Sequence, residues 1–151
     1  MSESRLKDFL DEEHVKYVTI AHSPAFTAQE IAAMAHIPGK ELAKTVVVKI
    51  DGELAMVVTP ASTQVELDNL KETLGASEVD LASESEFKVS FPDCETGAMP
   101  PFGNLYGMDV FVSQALREDD EIAFNAGSHS ELVRLPYSEF QRLVHPTPVS
   151  V

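Results

Sequence analysis

The chain has 151 residues, 44% of them apolar, and carries a net charge of −14. That length suits a single domain over residues 1–151 with its own hydrophobic core and is short for two. The acidic balance opposes broad nucleic-acid affinity, no run reaches the roughly 20 apolar residues that span a bilayer, and the lone cysteine, Cys94, excludes an internal disulfide or a cysteine-rich zinc site.

In chain order, residues from about Ser2 to His14 read as an amphipathic helix with Leu6, Phe9 and Leu10 on one face. Its polar, acidic opening does not read as a signal peptide; the single cysteine suits a reducing cytoplasm, and the acidic charge and lack of a long apolar run predict no DNA partner and no membrane. Val15 to Ala21 alternates as a strand. Thr27-Ala28-Gln29-Glu30 has the pattern of a capping box, which predicts a short helix from Ala28 to about His36 before Pro38-Gly39 breaks the chain. Lys44–Ile50 and Glu53–Thr59 are β-rich runs joined by Asp51-Gly52, a hairpin signal. Asp68–Leu74 reads as a helix ended by Gly75, Val79–Leu81 as a short strand, and Ser83–Phe87 as a helical turn. The stretch from Ser90 to Tyr106 holds three prolines and two glycines and must be loop, uncommonly long for a compact domain unless it has work to do. Met108–Val112, Glu121–Phe124 and Glu131–Leu135 are strands. Pro136 opens a last helix to about Leu143, and His145-Pro146-Thr147-Pro148 is extended. The expected fold class is mixed α/β (α+β), with six to seven short strands and four or five helices.

Three separated segments are polar or Gly/Pro-rich where packing would favour apolar residues: Ala43-Lys44-Thr45, Gly97-Ala98-Met99-Pro100-Pro101-Phe102-Gly103, and Asn125-Ala126-Gly127-Ser128-His129. Each lies at a strand end or in a long loop, where a scaffold usually holds its working groups. Lys44, directly before three valines, cannot easily be buried uncharged or unpaired. It suits either a strand-end lysine that snorkels to water or a fixed cation for a carbonyl, carboxylate or phosphate. The Gly97 loop has no reactive side chain. Its use would lie in free backbone N–H groups that bind an oxyanion, or simply in making a tight turn. Asn125 can donate and accept, Gly127 allows close backbone geometry, and His129 brings an imidazole suited to proton transfer at neutral pH or to a structural hydrogen bond. The five histidines show no metal-ligand spacing, and no nucleophile elbow, P-loop or dinucleotide fingerprint is present. No metal and no cofactor is expected.

Taken in register, these segments resemble the YbaK-type aminoacyl-tRNA deacylases, a family related to the editing domain of bacterial prolyl-tRNA synthetases. The resemblance runs from about Phe9 to Leu143. It includes His22-Ser23-Pro24 with Thr27 and Glu30, Lys44-Thr45, Val58-Thr59-Pro60 with Leu67 and Leu74-Gly75-Ala76, the Gly97–Gly103 loop, and Asn125-Ala126-Gly127. It implies a mostly antiparallel, barrel-like sheet and hydrolysis of the ester joining a wrong, small amino acid (alanine, serine, threonine or cysteine) to the tRNA 3′ end. In the family's terms Lys44, Gly97 and Asn125 are the catalytic positions, and His129 matches those members with histidine after this turn. His22, Thr45, Ala98, Met99, Phe102 and Gly127 would bind substrate. The partners implied are the aminoacyl-tRNA 3′ end and an aminoacyl-tRNA synthetase, with Lys40, Lys44 and Lys49 as the local contact for the RNA. Two other readings suit the same residues: a non-catalytic module that binds an amino acid or a synthetase, and a hydrolase of small free esters or amides.

Overall fold

The computed structural model describes residues 2–21, 41–61, 63–91, 94, 98–118, 120–127 and 130–149. The helix expected over Ala28–His36 lies outside them.

Helix α1 (Ser2–Glu12) forms because Leu6 and Leu10, one turn apart, both bury completely against the core. Strand β1 (Val18–Ala21) follows. The hairpin of β2 (Ala43–Ile50) and β3 (Glu53–Pro60) is closed by Asp51 (φ 50°) and Gly52 (φ 89°), the two left-handed residues of a type I′ turn. Asp51 also accepts the N–H groups of Ser77 and Glu78 at 2.9 and 2.8 Å, which ties the turn to the entry of the fourth strand. Helix α2 (Leu67–Leu74), β4 (Val79–Leu81) and the one-turn α3 (Glu84–Phe87) come next, α3 opened by a capping box between Ser83 and Glu86. Then follow β5 (Asp109–Ser113), β6 (Glu121–Asn125), β7 (Glu131–Pro136), α4 (Tyr137–Val144) and β8 (Thr147–Val149).

The strands form two sheets, β1-β7-β6 and β4-β2-β3-β5-β8. This corrects the expectation of six to seven strands in one barrel-like sheet: among the described residues there are eight, and the sheets do not close. The reason is visible along β2. Its outer edge pairs with β4 over Val48–Ile50, while at the other end it meets β6 only through a single parallel bridge between Leu42 and Ala123. The expected mostly antiparallel character holds, with β3–β5 and β5–β8 the parallel pairs. The last strand was expected only as an extended tail. Its partner, β5, lies more than thirty residues away, a pairing that no local pattern encodes.

Successive residues of β2 and β3 point to opposite faces of the five-stranded sheet. Ala43, Val47, Met56 and Val58 face the main core, shared with α1, α4 and β5–β7. Val46, Val48, Ala55 and Val57 face a smaller cluster roofed by Leu67, Leu70 and Leu74 of α2. With both faces covered, Ala55–Pro60 is buried throughout.

Candidate active site

The entry of β2 is fixed from two sides. The Ala123 N–H of β6 donates to the Glu41 carbonyl at 2.9 Å, and the Ala61 N–H donates to the Leu42 carbonyl at 2.7 Å. Arg134 of β7, paired across the strands with Ala123, donates to the Glu41 carboxylate at 3.1 Å and lies 3.3 Å from Glu121. From the Leu42–Ala123 bridge the two strands run in the same direction. Two residues further on, one carries Lys44 and the other Asn125. The bridge therefore brings the first and third polar segments to one level of the fold.

A second hydrogen bond brings in the Gly/Pro loop: the Gly127 N–H donates to the Ala98 carbonyl at 2.9 Å. Gly127 has a φ of 98°, in the region that glycine enters without strain. The loop is not a surface feature. Residues 98–103 are all buried, and a Cβ on Gly103 would lie 2.6 Å from both the Met108 carbonyl oxygen and Val110 Cγ2. Phe102 is wholly buried, with ring centroids 6.1, 5.5 and 5.7 Å from those of Phe9, Phe124 and Phe140, and Met99 belongs to the same cluster. The prolines and Phe102 thus plug the core, and the backbone at Ala98 is held at its margin.

Lys44 is half-buried and, among the described residues, has no ion-pair partner; burial pushes its amine below the ordinary lysine range. Two of the other described lysines are paired. Lys49 sits 2.5 Å from Glu86, and Lys7 2.6 Å from Glu131. Lys44 and Lys49, five residues apart on one strand, project to opposite faces and form no common patch. The same alternation separates Lys44 from Thr45, which points toward the main core with its Oγ1 buried and unbonded. Asn125 Oδ1 is likewise buried, with no partner among the described residues. An uncompensated cation and orphaned polar atoms at one junction are what a site for a polar ligand requires, since each is costly to leave unpaired.

His22, Gly97 and His129 lie outside the described residues. Among the described residues no group of three or more His, Cys, Asp or Glu side chains could hold a metal ion, and no helix is long and apolar enough to cross a membrane. An open cleft of about 550 Å³ is lined by Asn104, Asp109, His145 and Thr147, among others. It is remote from Lys44: Asp109 pairs with Ala55, whereas Lys44 pairs with Thr59, four residues or roughly 13 Å further along β3. Unlike the Lys44 junction, this cleft offers no buried polar group. Sequence reasoning missed the Arg134–Glu41 pair, whose members are 93 residues apart, and gave Thr59 no role of its own. For Thr59 a signal existed, a single hydroxyl ending the apolar run Ala55-Met56-Val57-Val58.

Residues 22–143 match the family described as the aminoacyl-tRNA editing domain. Over 99% of its length the chain is 26% identical to the multifunctional Ser/Thr-tRNA deacylase ProXp-y of Escherichia coli (strain K12), covering 92% of that protein. Over 58% of its length it is 30% identical to the proline–tRNA ligase of Bacillus mycoides (strain KBAB4), of which it spans 15%. A crystal structure described as a trans-editing enzyme for prolyl-tRNA synthetase superposes with a TM-score of 0.84 at 18% identity, covering 99% of this chain and 95% of that one, a likeness of fold.

Proposed function

The chain belongs to the aminoacyl-tRNA editing domain family, and on that footing we propose that it is a trans-editing deacylase that hydrolyses mischarged small aminoacyl-tRNAs of the alanine, serine, threonine or cysteine class. The deacylase activity follows the family and the ProXp-y relative, whose name specifies serine and threonine. The observation that carries the assignment to this site is the convergence of Lys44, Asn125 and the Ala98–Gly127 bond beside the Leu42–Ala123 bridge between the sheets.

An aminoacyl ester is labile, activated by its own α-ammonium and the neighbouring ribose hydroxyl, so no nucleophilic triad is needed. In this reading Lys44 anchors the substrate carbonyl or the terminal phosphate. The Gly97–Ala98 backbone polarises the scissile carbonyl, and each donor to the developing oxyanion contributes about 10²–10³ in rate. Asn125 and His129 orient the α-amine or the attacking group, and His22 and Gly127 shape the pocket, which Thr45, Met99 and Phe102 support from the core side. The whole chain, residues 1–151, acts as one cytoplasmic editing domain. With a net charge of −14, and with Lys49 engaged by Glu86, it grips only the acceptor end and depends on a synthetase partner for delivery.

The test is deacylation of Ala-, Ser-, Thr-, Cys- and Pro-charged tRNA by the wild type and by Lys44→Ala. Turnover of one or two small aminoacyl groups, lost in a variant that still folds, supports the proposal. Silence across the whole panel overturns it in favour of a binding module.

A further inference from the structure

Two polar residues are wholly buried among those described, Thr59 and Ser113. The Ser113 hydroxyl accepts the Ala115 N–H at 3.3 Å. Among the described residues the Thr59 hydroxyl has no hydrogen-bond partner. Valine has the same shape and would carry no such penalty, so a threonine here is unfavourable for the fold taken alone. Its position supplies a reason. Thr59 stands directly opposite Lys44 in the antiparallel register, so the two side chains leave the same face of the sheet, with Cβ atoms about 5 Å apart. It is also the penultimate residue of β3, which ends at Pro60 opposite Ala43. Along β2 beside it, no strand among the described residues pairs with Ala43–Val46 on the side away from β3.

We propose that Thr59 is a specificity-determining residue of the Lys44 site, its hydroxyl bonding the side-chain hydroxyl of a seryl or threonyl group and so favouring these over alanyl. The inference rests on the deacylase reading above. A hydroxyl both donates and accepts, so Thr59 pairs with another hydroxyl in either sense, whereas the methyl of alanine leaves it orphaned. Sites built to bond a substrate hydroxyl reject the analogue that lacks it, because a buried group is left unpaired. One neutral hydrogen bond of this kind corresponds to roughly tenfold in selectivity.

The experiment compares kcat/KM for Ser-tRNA and Ala-tRNA in the wild type, Thr59→Val and Thr59→Ser. The expected result is a fall of about tenfold in the Ser:Ala ratio for Thr59→Val, arising on the serine side, with a melting temperature unchanged or raised. Thr59→Ser keeps the ratio. A ratio unmoved in Thr59→Val overturns the proposal while leaving the deacylase reading intact. A second measurement needs neither turnover nor a variant: the wild type with ¹³C-methyl threonine is titrated with L-serinamide and with L-alaninamide. The Thr59 methyl signal is expected to shift with the first and not the second. Equal shifts, or none, overturn the role of Thr59 whether or not the tRNA substrates are hydrolysed.

Discussion

If the 98–103 loop is a core plug rather than a pocket wall, truncating Phe102 should unfold the protein before it changes what the protein accepts. The ring is wholly buried and meets three others at centroid distances of 5.5–6.1 Å, in tilted or edge-on geometry. Phe102→Ala then loses the burial of the ring and leaves a cavity, about 3–5 kcal/mol in such cases, and the ring contacts place it toward the upper end. For a chain of this size each kcal/mol shifts Tm by about 2–4 °C, so the melting temperature should fall by roughly 6–20 °C. Phe102→Leu keeps much of the apolar volume and should cost about 1–2 kcal/mol. The assay is thermal unfolding of both variants, with the ratio of seryl- to alanyl-tRNA hydrolysis measured well below either Tm. A loss of less than about 3 °C in Phe102→Ala, together with a changed substrate ratio, would refute the reasoning and put the ring at the substrate.

Other outcomes follow from the same contacts. Gly127→Ala places a Cβ at a φ of 98° and should cost about 1–2 kcal/mol by urea unfolding, with activity per folded molecule falling as the Ala98 bond is disturbed; an unchanged kcat would remove this turn from the site. Lys49 and the Ser83 N–H and hydroxyl hold the Glu86 carboxyl down to about 2 from 4.5, so its contribution to stability is complete above pH 4.5 and is lost as pH falls toward 2. Glu86→Gln should therefore differ most from the wild type near neutrality and converge on it in acid, and a gap that widens in acid would contradict the pairing. Burial lowers the Lys44 pKa, so the folded state carries the cost of a buried charge until the amine deprotonates, and wild-type stability relative to Lys44→Met should rise with pH below 10.5. A fall over that range would mean that the ammonium has a partner. Arg134→Met removes the side chain bonded to Glu41; kcat should drop with KM less affected, and a variant that loses stability alone would show the pair to be a strut with no bearing on Lys44.

Residues adjacent in sequence decided most of the elements. Asp51-Gly52 announced its hairpin because a type I′ turn needs two left-handed residues, and the Leu6, Phe9 and Leu10 stripe announced α1 because a helix repeats every 3.6 residues. The three polar segments of the candidate site were also legible, since each interrupts a local apolar pattern. What those segments do to one another was not. The bridge from Leu42 to Ala123, the Gly127–Ala98 bond and the reach of Arg134 to Glu41 join residues tens of positions apart, and only the packed chain selects them. The split into two sheets was hidden for the same reason, because one edge of β2 serves two neighbours at its two ends. Burial, finally, is a property of the whole. The Gly/Pro loop reads as surface until its prolines and Phe102 are found inside the core, and Thr59 reads as one more residue of a strand until its hydroxyl stands alone across from Lys44.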